Sequence, residues 1–155
     1  RPHNVFGPDM GLQHVIPQFI MEFLRQVDQD SEVVVNAKGS LDAIRAFCYV
    51  DDIVSGIELL AERNKGVNVY NLGNTQRISM SDLVNEIADI LGCKYSISQK
   101  SNEHIGGAML RCPDIAKAEN LGFTCATSLT SALEKTIDWY KNNLGRLSKI
   151  TSSTY

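Results

Sequence analysis

The chain has 155 residues, of which 43% are hydrophobic and 21% charged, enough for one domain with a buried core. A net charge of −3 excludes a general nucleic-acid binder, whose phosphate contacts need clustered Lys and Arg. No apolar run is long enough to span a bilayer, and the chain does not open on a leader-like segment, so no membrane partner and a cytoplasmic location are expected.

Four cysteines (Cys48, Cys93, Cys112 and Cys125) are widely spaced and form no CxxC pair. Reduced and mostly buried thiols are expected, with Cys48 a packing residue in a strand-like run. The opening run Arg1–Pro8 reads as the end of an element, so the chain is expected to be a fragment or a processed product.

Gly7-Pro8-Asp9-Met10-Gly11 reads as a turn. Pro17 suits the first turn of a helix running to about Val27, with Phe19, Ile20, Phe23, Leu24 and Val27 on its apolar face. The β-branched run Val33-Val34-Val35 predicts a strand within Glu32–Lys38. Arg45–Val50 reads as a second strand, after which Asp51-Asp52 supply an N-cap. Ile53, Ile57, Leu60 and Ala61 form the predicted buried stripe of that helix. Val67–Leu72 alternates between Gly66 and Gly73 and is expected to be a strand beside the chain's first residues.

Ser79-Met80-Ser81-Asp82 resembles a capping box, with Asp where Glu is usual. Leu83, Ile87, Ile90 and Leu91 give the next helical stripe, and Gly92 suits its end. Tyr95-Ser96-Ile97 reads as a short strand and the polar stretch from Asn102 to Met109 as a loop, with His104 as plain surface. Pro113-Asp114 opens a short helix closed by Gly122. Ser128 caps a last helix carrying Leu129, Leu133, Ile137, Tyr140 and Leu144. Residues 146–155 are expected to form a disordered polar tail beyond a unit spanning 1–145. Alternating strands and helices make this an α/β protein.

Several segments, in order, carry a resemblance. They are Arg1–Pro8, His14–Phe19, Arg45–Asp52, Tyr70–Gly73, Arg111–Ala118, Leu121-Gly122-Phe123 and Trp139-Tyr140. Together they resemble the extended short-chain dehydrogenase/reductase family, in its NAD-dependent nucleotide-sugar epimerases and dehydratases. The likeness runs to about residue 144 and implies the C-terminal, substrate-binding portion of such an enzyme, with the last strands of its Rossmann sheet.

The resemblance implies a nucleoside-diphosphate sugar held against a nicotinamide. Arg45 and Arg111 match the two positions that clamp the phosphates, where the planar guanidinium pairs bidentately. Asn4 matches an Asn that hydrogen-bonds the substrate near the phosphates, and its amide both donates and accepts. Pro2 and His3 match the segment that passes the nicotinamide, through largely backbone contacts at a strand's carboxyl end. Val15 would line the nucleotide pocket, and Lys38 would lie near the base or ribose. His14 stands where many relatives have Asn; it either bonds a phosphate or sugar hydroxyl or replaces a helix cap. Asp51 and Asp52 are read as caps and Tyr49 as packing. Ile44 departs from the Thr common before the phosphate-binding Arg.

Two features of the family are missing from these 155 residues. There is no GxxGxxG turn to admit a cofactor pyrophosphate, and none of the five tyrosines has a lysine four places on. The chain alone is therefore expected to contain no catalytic residues, to bind NAD or NADP weakly at best, and to catalyse nothing. The alternative is a catalytically silent nucleotide-binding or assembly module of the same fold. An apolar face is also expected, covered either by a dinucleotide-binding half or by another copy in a swapped arrangement.

Overall fold

The computed structural model describes residues 1–26, 32–37, 39–99 and 108–152. Val27, Lys38 and His104, each singled out above, lie outside the described residues.

The chain begins with β1 (Val5–Phe6), then α1 (Val15–Leu24) and β2 (Val33–Ala37). β3 (Ile44–Ala46) and β4 (Cys48–Tyr49) follow, and α2 (Val50–Arg63) leads to β5 (Arg77–Ser79) and α3 (Met80–Leu91). β6 (Tyr95–Gln99), β7 (Leu110–Arg111), α4 (Ala116–Glu119) and α5 (Leu129–Ser152) complete the order.

The described strands form three small sheets. β1 pairs with β4 and β2 with β6, both parallel, while β3 lies between antiparallel β5 and parallel β7. The run expected as one strand over 45–50 is thus divided at Phe47. Its first part pairs in one sheet and its second in another, so a single apolar run serves two neighbours.

The larger core is built by α1, α3 and α5 over β2. α1 buries Ile16, Pro17, Phe19, Ile20, Met21, Phe23 and Leu24, nearly its whole circumference, as a helix enclosed on most sides must. β2 alternates, with Val33, Val35 and Ala37 inward, which is the period-two pattern of a strand with one wet face. Ser79 caps α3 by accepting the Asp82 N–H at 3.0 Å, and Gly92 ends it in the left-handed conformation at φ 66°. Ser128 likewise accepts the Ser131 N–H at 3.2 Å at the head of α5. On α5, Leu133, Ile137 and Tyr140 are fully buried, and the Tyr140 hydroxyl donates to Met10 O at 2.5 Å. Burial, with the Asp9 charge as the lesser cause, pushes the Tyr140 phenol up to about 12. A smaller core gathers Cys48, Ile53, Leu72, Ile115, Ala118 and Phe123. Here Gly56 of α2 lets Phe123 and Leu72 approach so closely that an added Cβ would lie 2.7 Å from the Phe123 ring.

Five expectations are corrected. Val67–Leu72 is not a strand: Val67 is fully exposed, and the segment's pairing there is one parallel bridge between Pro2 and Leu72. Only the end of the segment meets the chain's opening residues, through Leu72 N–H to Arg1 O and His3 N–H to Leu72 O, so the alternation builds no longer ladder among the described residues. On α2, Ile53 is buried and Leu60 packs against the smaller core as expected, but Ile57 is 56% exposed and Ala61 is exposed, and Asp52 and Gly56 complete the buried side. Asp51 and Asp52 do not cap α2, whose N-cap is Tyr49; they lie in its first turn. Of the cysteines only Cys48 is buried; the other three are half-buried, and all four are free. Finally, α5 runs unbroken through Gly145 to Ser152. Leu147 is 5% exposed and Arg146 forms a 2.8 Å ion pair with Asp9, so contacts with the body order a segment whose composition is polar.

Candidate functional site

Residues directly opposite one another in a ladder share a face of the sheet. The parallel register of β3 and β7 sets Arg45 opposite Arg111. Two arginines 66 positions apart therefore stand side by side.

Arg45 is half-buried, and its Nη1 donates to Ile44 O at 2.7 Å and to Met109 O at 3.3 Å. These backbone acceptors hold the guanidinium without neutralising it. Burial, and secondarily the Arg111 charge, lower the Arg45 pKa from its ordinary value. Among the described residues neither arginine is paired with a carboxylate, and the ion pair there is Arg146–Asp9. Arginine cannot escape repulsion by losing its proton, so two adjacent guanidiniums favour an anion between them.

His3 belongs to the same cluster. Its Nδ1 is buried without a hydrogen-bond partner among the described residues, and its pKa is lowered by burial first and by Arg111 second. Gly73 makes this arrangement possible. A Cβ there would meet Pro113 at 3.0 Å and the His3 Cβ at 3.2 Å, so the bare backbone lets the 111–113 segment close on His3. The Leu72 N–H donates to Arg1 O and the His3 N–H to Leu72 O, which fixes Pro2 and His3 in line.

Asn4, His14 and Val15 form a second group. With Val5, Phe6, Met10, Ile16 and Phe47 they line a cavity of about 90 Å³. Asn4 sits in the left-handed region at φ 43°, which Asn tolerates better than most residues. Its Nδ2 donates to Ala46 O at 3.0 Å while its own carbonyl accepts the Cys48 N–H at 3.1 Å. The side-chain bond aims the amide at β3, one residue from Arg45, while the bond to the backbone carbonyl ties the segment to β4. His14 occupies the N-cap of α1 with extended backbone but makes no side-chain cap bond, which leaves its exposed ring facing the cavity. The cavity is several-fold smaller than the ≈ 300–1,000 Å³ of a site that encloses a small molecule, so by itself it does not enclose one.

The structure thus brings Arg45, Arg111 and His3 together, and separately Asn4, His14 and Val15, with the Asn4–Ala46 bond between the groups. Lys38 lies outside the described residues. The polar atom of His3 and the contact made by Gly73 were missed in the sequence; the Tyr70–Gly73 motif was their only trace.

The described residues do not fit a whole nicotinamide dinucleotide. Its pyrophosphate needs a Gly-rich turn into a helix N-terminus, and the 155 residues contain no GxxGxxG run; α2 and α3 carry Asp51, Asp52 and Asp82 in their first turns, whereas α1 and α5 carry no acidic residue there. No hydride-transfer step is therefore derived from this chain.

Fold and site define an α/β protein that presents two arginines without a carboxylate partner among the described residues, near a small, largely apolar cavity that Asn4 and His14 also line. The model of the NAD dependent epimerase/dehydratase family matches residues 1–73 of the chain. It is similar to GDP-L-fucose synthase 1 of Arabidopsis thaliana, 28% identical over 148 residues covering 92% of this chain and 45% of that protein. It is 34% identical to UDP-glucuronic acid decarboxylase 1 of Xenopus tropicalis over 147 residues, 93% of this chain and 33% of the other. Among solved structures, UDP-glucose 4-epimerase of Thermotoga maritima with UDP-glucose superposes with a TM-score of 0.80 at 26% identity, covering 93% of this chain and 45% of that one. The chain thus spans less than half the length of these relatives. No described helix is long and apolar enough to cross a membrane.

Proposed function

We propose that this chain is the C-terminal, nucleotide-sugar-binding portion of an NAD(P)-dependent epimerase or dehydratase. The observation that carries the reading is the Arg45–Arg111 pair, adjacent through strand register and without a carboxylate partner among the described residues. A diphosphate supplies two negative charges to such a pair and accepts from both guanidinium forks. Asn4 and His14 bond the phosphates or the sugar, Val15 packs on the nucleotide, and Lys38 lies near the base or ribose. Pro2 and His3 pass the nicotinamide through the backbone.

In this reading the chain binds and does not catalyse. The cofactor loop and the base that takes a sugar proton belong to a dinucleotide-binding half, which would also cover the exposed Val54 and Ile57 of α2. Titration calorimetry with UDP-, GDP-, CDP- and dTDP-sugars tests the reading. Binding by the wild type, lost in the Arg45→Ala/Arg111→Ala double variant, is expected. Undiminished binding by that variant overturns the clamp, and turnover of a nucleotide sugar with NAD by the 155-residue chain overturns the assignment as a silent portion.

A further inference from the structure

Away from the arginine pair, the smaller core holds two sulfur atoms that packing does not explain. Cys48 Sγ lies 3.6 Å from Cys125 Sγ, although 77 positions separate them in the chain. Cys48 is fully buried on β4; Cys125 is half-buried in the segment between α4 and α5, and also lies 3.2 Å from Gly73 O. Asp52 is third in the group, its carboxylate within 4.8 Å of both sulfurs. That carboxylate is already engaged, accepting from Ala126 N, Thr127 N and Thr127 Oγ1 at 3.1–3.3 Å. It anchors the segment that carries Cys125 against α2.

We infer that Cys48 and Cys125 form a reversible intrachain disulfide when the chain meets an oxidising small-molecule disulfide. A disulfide needs its sulfurs about 2.05 Å apart, so the pair must close by roughly 1.5 Å. Cys125 belongs to no helix or strand, so its backbone can make that movement while β4 stays in place. The two thiols have unequal roles. The contact between the two sulfurs, in which either can donate, lowers the Cys125 thiol pKa and, with burial, pushes that of Cys48 well up. Cys125, half-buried and the more accessible of the two, is therefore the nucleophile and Cys48 the resolving thiol.

The chemistry balances as two exchanges. Cys125 thiolate attacks one sulfur of oxidised glutathione, an S–S bond breaks, and one glutathione leaves as the thiol. Cys48, giving its proton to the departing glutathione sulfur, then attacks Cys125 Sγ and displaces the second glutathione. Two cysteine thiols are oxidised by two electrons, and one external disulfide is reduced to two thiols.

The test uses the full 155-residue chain in oxidised glutathione, followed by alkylation under denaturing conditions, intact mass and peptide mapping. The expected product has lost two hydrogens, leaves Cys93 and Cys112 alkylated, and yields a peptide linking Cys48 to Cys125. Because the link closes a long loop, the melting temperature should rise by roughly 5–15 °C and fall back with dithiothreitol. Cys125→Ser, at a half-buried position, should abolish the link, while Cys93→Ser/Cys112→Ser keeps it. A glutathione adduct at Cys125 that never resolves, or a link between other cysteines, overturns the inference. So does one equivalent of zinc held through Cys48, Asp52 and Cys125 that shields both thiols, since the group would then be a metal site.

Discussion

Replacing Arg111 with Ala should move stability and binding in opposite directions. Without a ligand, Arg45 and Arg111 are like charges directly opposite one another in a ladder, an arrangement that costs about 0.2–1 kcal/mol. Arg111 is exposed, so solvent screening puts the gain from its removal toward the lower end. Arg111→Ala should therefore leave the free chain as stable as the wild type or up to about 0.5 kcal/mol more stable in urea titrations. High salt should give the wild type a similar gain and the variant none. With a nucleoside-diphosphate sugar the sign reverses. A charge-assisted hydrogen bond to phosphate contributes about 1.5–3 kcal/mol, so losing one guanidinium should weaken binding roughly 10- to 150-fold. At a ligand concentration 100 times the wild-type Kd, linkage raises wild-type stability by about 2.7 kcal/mol, while the variant should gain far less. Calorimetry and ligand-dependent melting read both effects. Free-state destabilisation beyond about 1 kcal/mol would mean that Arg111 supports the sheet, and an unchanged Kd would mean that it faces no phosphate.

Gly56→Ala should destabilise the chain by about 1–2 kcal/mol: the overlap with Phe123 costs roughly 1–3, and the helix propensity gained by Ala returns up to about 1. Chemical denaturation checks it, and a stabilised variant would refute the close contact. Leu147→Ala should cost about 2 kcal/mol or more, because the side chain is 5% exposed within the main core. A cost near zero in thermal melts would restore the expectation of a frayed tail. The lowered pKa of His3 means that the folded chain binds fewer protons there than the unfolded one. Its contribution is thus complete above pH 6.5 and is lost as pH falls from 6.5 through the lower folded value, so His3→Gln should flatten that part of the stability–pH curve.

The sequence by itself determined the helices, the caps of α3 and α5, and a family resemblance. Periodicity marked α1, α3 and α5 because each buries a face against neighbours, and Ser79, Gly92 and Ser128 act within a few residues of where they stand. Such short-range effects are legible in one dimension. Ordered motifs also identified Arg45 and Arg111 as a pair, through likeness to relatives and without any sign of how they meet. Their meeting required β3 and β7 to align in parallel, which depends on everything between them. The same holds wherever expectation and structure part. Val67–Leu72 alternates as a strand should, but a strand exists only with a partner's backbone groups. Asp52 looks like a cap from its place after Tyr49, yet its carboxylate reaches 126–127, more than seventy residues on. Cys48 and Cys125 carry no shared motif, and only the packing of β4 against the loop before α5 sets their sulfurs 3.6 Å apart. Local hydrogen bonding and hydrophobic period are written along the chain; the pairing of distant charges, thiols and strand edges is decided by which surfaces fold against one another.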